Sequence, residues 1–235
     1  MPFHTPAPPP AAVPPLRKGR VVLAYTALTM IGTVGAVYAT RILVVTPDLL
    51  TPLPLSRELW HFTQVGILYG ALVSVSQWGV IRAWSRHMAA MREAPDRPRA
   101  RDGAAWIVVT TAGYIASTNI SLIYVRAINE HLDALAGLPI YLHDALSGCV
   151  IGLSQWLYLR RFVPGAGRWI AFSAAGEILS SQAGYLPVEF PFATAAIGAV
   201  FGLVQGVCLA CLKPGPIAAP SAPVKSSVEV TDSCD

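Results

Sequence analysis

The sequence predicts an all-α polytopic membrane helix bundle, six transmembrane helices built as three tandem helical hairpins. Three observations carry that expectation. The first is composition. Of 235 residues, 54% are hydrophobic and 13% are charged, about half the charge of an average soluble protein. Mean hydropathy is +0.51. Such a chain has too little charge to cover a soluble surface. It is also too apolar to be disordered, and its 4 cysteines make no disulfide-rich module. A net charge of +4 at this hydrophobicity argues for a membrane rather than for nucleic acid. The second observation is a set of long apolar stretches. The third is a pattern that recurs in alternate stretches.

The stretches fall at about 21–45, 61–84, 105–127, 140–161, 168–186 and 191–212. A helix crosses a bilayer in about 20 residues, and the fifth stretch is the shortest. Proline punctuates them. Pro47, Pro52 and Pro54 lie in the first loop, Pro95 and Pro98 in the second, and Pro139, Pro164, Pro187 and Pro191 at later boundaries. An interior proline would remove a backbone hydrogen bond and kink its helix. Unbroken helices are therefore expected, without the interrupted helices that build many transporter sites.

Charge sets the expected orientation. With both termini cytoplasmic, all basic residues except Arg41, Arg57 and Arg126 fall on the inner side, as the positive-inside rule requires. The loop 85–104 carries five arginines and can also touch anionic headgroups. Trp60, Trp84, Trp106, Tyr141, Trp169 and Tyr185 lie near span ends, where an aromatic belt would place them. The first 16 residues hold seven prolines and read as a polyproline-prone disordered tail, not a signal peptide. Residues 213–235 read as a second disordered tail. The membrane domain is then 17–212, with hairpins at about 17–84, 105–161 and 168–212.

The recurring pattern lies in the second, fourth and sixth stretches. They read Gly70-x3-Ser74-x2-Gln77-Trp78, Gly148-x3-Gly152-x2-Gln155-Trp156 and Gly198-x3-Gly202-x2-Gln205-Gly206. Arg82 and Arg160 close the first two. The stretches before the second and third copies echo each other too, Trp106 leading to Gly113 and Trp169 to Gly176, while Tyr25 and Gly32 fit loosely. Positions i, i+4 and i+7 share one helix face. Small residues four apart let another helix approach closely, and the glutamine a turn further on can hydrogen-bond across that contact. Gly70, Ser74, Gly148, Gly152, Gly198 and Gly202 are thus expected to pack helices. Gln77, Gln155 and Gln205 are expected to act as interhelical glue, with a shared polar site around a pseudo-threefold axis as the alternative.

The segment formed by Gly148, Gly152, Gln155, Trp156, Leu159 and Arg160, followed by Arg161 and Trp169 and echoed in residues 70–82, resembles uncharacterised small multi-pass bacterial membrane proteins with G-x3-G-x2-QW-x2-LR helices. The resemblance covers the hairpins, not the tails. It implies a bacterial inner membrane and no particular activity. Mitochondrial-type carriers are also three tandem hairpins, but their proline-acid-base signature is missing here.

Glu177 is the sharpest candidate for chemistry. An acid near mid-bilayer must be protonated or paired, and it is a functional-site candidate by default. Ser180 and Ser181 follow it, and its repeat equivalents are Tyr114 and Thr33. Asn119, in a third stretch rich in hydroxyl and amide groups, can face the same interior. These polar groups are expected to be mainly packing groups. His143 and Asp144 are adjacent, and side chains one residue apart on a helix point about 100° apart, so no dyad is expected. His61, His131 and His143 could form an outer metal site only by tertiary convergence. Cys208-x2-Cys211 lies at a helix C-terminus, where packing is the better reading. No metal, cofactor or nucleotide motif is recognised.

The expected function is a non-catalytic integral membrane scaffold or accessory subunit. Its partners would be the lipid bilayer and a membrane protein or a second copy, not nucleic acid. The alternatives are a small-molecule or ion permease with its site at Glu177, and an intramembrane enzyme acting on a lipid or isoprenoid.

Overall fold

A computed structural model describes residues 17–44, 54–91, 100–129, 138–185, 187 and 189–213. The first expected tail, the second from residue 214 onward, residues 92–99 of the arginine-rich loop, and His131 all lie outside the described residues. The described chain is all-α, with six helices in order: α1 Lys18–Leu43, α2 Leu55–Met91, α3 Ala100–Asn129, α4 Leu138–Leu159, α5 Arg168–Gly184 and α6 Phe192–Cys211. Each overlaps one predicted stretch, and none is broken. Proline stands where it is tolerated, just before α2 (Pro54), in the first turn of α4 (Pro139) and at the N-cap of α6 (Pro191).

Four helices are long and apolar enough to cross a membrane: Lys18–Leu43, Leu55–Met88, Asp102–Ala127 and Phe192–Cys211. The other two differ for plain reasons. α5 has only 17 residues, a rise of about 26 Å against a hydrocarbon core of about 30 Å. α4 is long enough at 22 residues but carries His143, Asp144 and Gln155. Conversely, the 37 residues of α2 reach about 55 Å, well beyond the predicted 61–84.

Each helix packs on the next one in sequence, and α6 returns to pack on α1. The described helices therefore close into a ring. Glycines set its contacts. Gly66 and Gly70 of α2 face Ile115 and Thr111 of α3, Gly148 and Gly152 of α4 face Ala174 and Ile170 of α5, and Gly198 and Gly202 of α6 face Met30 and Thr26 of α1. In all three, rising numbers on one helix meet falling numbers on the other, so the pairs are antiparallel. A Cβ at Gly148 would lie 2.5 Å from the Ser173 carbonyl oxygen and 2.6 Å from the Ala174 Cα. Such backbone proximity is what small residues allow between helices. The odd helices also turn glycine toward the helix that follows. Gly32 meets Val73, Gly113 meets Ile151, and Gly176 meets Phe201.

One end of the ring is filled. Where α1, α3 and α5 begin and α2, α4 and α6 end, apolar side chains of all six helices form one cluster. Tyr25 meets Trp169 edge-on at 6.1 Å, and Trp106 meets Tyr158 at 5.5 Å. Here the aromatic-belt expectation divides. Trp60, Tyr141 and Tyr185 are exposed, but Trp84, Trp106 and Trp169 are fully buried. Position along a helix sets depth, whereas rotation about the helix axis decides between lipid and interior. Around the outside, Leu23, Ile42 and Val108 stand exposed.

Candidate functional site

The buried polar layer lies just beside this aromatic plug. Gln77, Gln155 and Gln205 are all fully buried. Gln205 is the best connected. Its Nε2 donates to Ser173 Oγ at 2.8 Å and to Gln155 Oε1 at 3.1 Å, and its Oε1 accepts from the Tyr25 hydroxyl at 3.1 Å. Gln155 Oε1 also accepts from the Trp169 indole N–H at 2.8 Å. Gln77 Nε2 donates to Thr29 Oγ1 at 2.8 Å, and Thr29 Oγ1 donates in turn to the Tyr25 carbonyl. The structure thus joins Gln155 and Gln205 directly and brings Gln77 in through Thr29 and Tyr25. Every one of these side chains sits between helices. A polar group buried without such partners would be costly, so satisfied bonds at this depth hold the helices in one register.

The sequence reading missed the odd-helix partners Tyr25, Thr29, Trp169 and Ser173. A signal for them was present. Tyr25-x3-Thr29, Trp106-x3-Thr110 and Trp169-x3-Ser173 place an aromatic and a hydroxyl one turn apart at corresponding places in three helices.

Glu177 lies one turn beyond Ser173 on α5, half-buried and away from the plug. Ser180 Oγ donates to its Oε2 at 3.4 Å, a long bond. Its carboxyl is within electrostatic reach of Asp144 on α4, Tyr69 on α2 and Tyr114 on α3. The helix contacts explain the first neighbour. Gly148 touches Ala174, and one turn further along these antiparallel helices Asp144 and Glu177 come level. Tyr69 and Tyr114 hold their ring centroids 6.3 Å apart.

Asn119 is not joined to Glu177 by a hydrogen bond. It donates to Thr63 Oγ1 at 3.0 Å and to the Ile115 carbonyl, tying α3 to α2. Thr118 donates to the Phe62 carbonyl across the same interface, and Ser121 and Ser147 bridge α3 to α4 at 3.1 Å. Much of the hydroxyl and amide content of α3 therefore joins helices.

Two further candidates resolve differently. The expectation that His143 and Asp144 point apart is overturned, because His143 Nδ1 lies 3.0 Å from Asp144 Oδ1. Cα positions one residue apart diverge, but rotation about the side-chain bonds brings the tips together. His61 instead meets Phe62 ring to ring. Among the described residues no group of three or more metal-ligating side chains forms. Cys208 packs in the apolar cluster and Cys211 is exposed, both with free thiols.

No family model matches this sequence, and neither a curated protein nor a solved structure is significantly similar to it. The functional reading therefore rests on the residues themselves.

Proposed function

We propose that the chain is a six-span, multi-pass protein of a bacterial inner membrane, acting as a non-catalytic scaffold or accessory subunit. Residues 17–212 form the membrane domain as three tandem hairpins, residues 1–16 and 213–235 are tails, and both termini are cytoplasmic. What supports six spans is the closed ring. α4 and α5 sit between α3 and α6, which are each long and apolar enough to cross, and on α4 the Gln155 Oε1 accepts from α5 and α6 while His143 and Asp144 bond to each other. What supports the repeat is the shared register of glycines and glutamines, with each even helix laying its small residues on the next odd helix.

One observation carries the scaffold reading. The three glutamines are engaged in bonds between helices, in the layer that Tyr25, Trp106 and Trp169 fill. A solute path through that end would have to break both. Interior side chains used this way leave the outer apolar faces and the tails for recognition. Native mass spectrometry of gently extracted protein tests the reading, with a stoichiometric protein partner or second copy expected. A bare single chain would refute it. A retained small molecule would favour the second reading, a permease, which rests on Glu177 lying within electrostatic reach of Asp144, Tyr69 and Tyr114 on three other helices. Topology is checked separately by labelling with a membrane-impermeant maleimide in a cysteine-free background. Arg126→Cys should react from outside and Arg160→Cys only from inside.

A further inference from the structure

Among the described residues, Gln77 Oε1, Trp106 Nε1, Thr110 Oγ1 and Gln155 Nε2 of the glutamine layer have no hydrogen-bond partner. All four belong to fully buried side chains. All four come from the consecutive helices α2, α3 and α4. Their chemistry is complementary, with one carbonyl acceptor, one indole donor, one hydroxyl that does both and one amide donor.

The bonds on the other side of the ring show how they match. On α5, Trp169 donates back to the glutamine of the preceding even helix, Gln155. On α1, Tyr25 donates back to Gln205 of α6, its neighbour through ring closure. The third such donor is Trp106 on α3, and the preceding even helix carries Gln77. Likewise Gln77 donates to Thr29 and Gln205 to Ser173, each on the odd helix of its own hairpin. The third such pair is Gln155 and Thr110. The unpartnered atoms are thus the members of the two bonds that the pattern lacks. The glycine contacts agree, because Gly70 of α2 meets Thr111, five residues after Trp106, as Gly148 of α4 meets Ala174, five residues after Trp169.

We propose that Trp106 Nε1–H donates to Gln77 Oε1 and Gln155 Nε2–H donates to Thr110 Oγ1, closing the glutamine layer into a continuous belt that latches all six helices beside the aromatic plug. Buried donors and acceptors in folded proteins are nearly always paired, so rotation of the amides and the indole brings each atom to its complement. The belt bonds one aromatic, one hydroxyl and one glutamine per hairpin in the same order. Opening this end of the ring then requires breaking a bond at every interface. The inference rests on the three-hairpin repeat proposed above.

The test uses full-length protein in lipid nanodiscs, labelled with 15N-tryptophan, with each indole signal assigned by Trp→Phe substitution. Gln77→Leu should shift the Trp106 indole N–H and leave that of Trp169 in place. Gln155→Leu should shift Trp169, which checks the register from which the repeat was read. If Trp169 ignores Gln155→Leu, the repeat reading falls and the belt with it. If Trp169 responds and Trp106 ignores Gln77→Leu, the belt alone is overturned. Direct exchange between the Trp106 indole proton and a bound water also overturns it, because water would then occupy the acceptor's place. Should Gln77→Leu fail to fold, Thr110→Val in 15N-glutamine protein reads the other bond. The Gln155 side-chain amide pair should shift, and no shift overturns the proposal.

Discussion

Replacing Gln205 by leucine tests whether the glutamine layer holds the ring together. The side chain is fully buried and makes three bonds, to Tyr25 on α1, Gln155 on α4 and Ser173 on α5. Leucine is close in size, so packing changes little and the polar contribution is isolated. Interhelical hydrogen bonds in membrane proteins average about 0.6 kcal/mol and reach about 1.7 kcal/mol. Three of them give about 2–5 kcal/mol. The loss falls toward the upper part of that range, because Tyr25 Oη loses its acceptor while remaining buried. The control is Gln182→Leu. Gln182 is exposed and reaches only Ser181 Oγ at 3.4 Å, so its loss should lie within about 0.5 kcal/mol. Equilibrium unfolding in mixed micelles, with the denaturing detergent as titrant, measures both. If Gln205→Leu costs no more than Gln182→Leu, the bonds do not hold the helices and the reasoning is refuted.

Glycine substitutions should separate contact from open space. Gly148→Ala places a methyl against the α5 backbone and should cost about 1–3 kcal/mol, whereas Gly79→Ala meets nothing within 4 Å and should be neutral or stabilising by up to about 1 kcal/mol; equal effects in thermal unfolding would argue against the close α4–α5 contact. Glu177→Gln keeps the size and hydrogen-bonding capacity of the side chain, so the fold should survive, as judged by an unchanged melting temperature and gel-filtration profile. The same variant should lose any retained cationic ligand under the permease reading and leave partner binding intact under the scaffold reading. Arg126→Gln breaks an ion pair with Glu58 at 2.7 Å whose side chains are 40% and 21% exposed. Solvent screening limits its loss to under about 1 kcal/mol, and a larger loss by the same unfolding assay would show that the pair is shielded from water.

Much of this architecture was legible before any coordinates. Apolar run length placed all six helices, and proline marked where they begin. The spacing of Gly148, Gly152 and Gln155 picked out the face that packs, because a helical period converts linear spacing into shared direction. Glu177 stood out because a carboxyl among apolar residues has to be accounted for. Less legible was the rotation of each helix. Trp106 and Trp169 looked like interface residues from their position along the chain, and they are instead at the centre of the plug. The His143–Asp144 bond was missed for a similar reason, since side-chain torsions rather than backbone spacing decided it.

The sequence by itself determined what the helices have to bury: a small-residue seam and a glutamine on each even helix, and an aromatic one turn from a hydroxyl on each odd one. These properties belong to single segments, and periodicity exposes them. Only the tertiary structure decided who meets whom. It closed α6 onto α1, joined Gln205 to Tyr25 across 180 positions of sequence, and left Asn119 with Thr63 while Asp144 came level with Glu177. The physical reason is that partner choice is a property of the whole ring. Each helix turns until its glycines admit a neighbour and its buried donors find acceptors, and both conditions involve atoms far away in the chain.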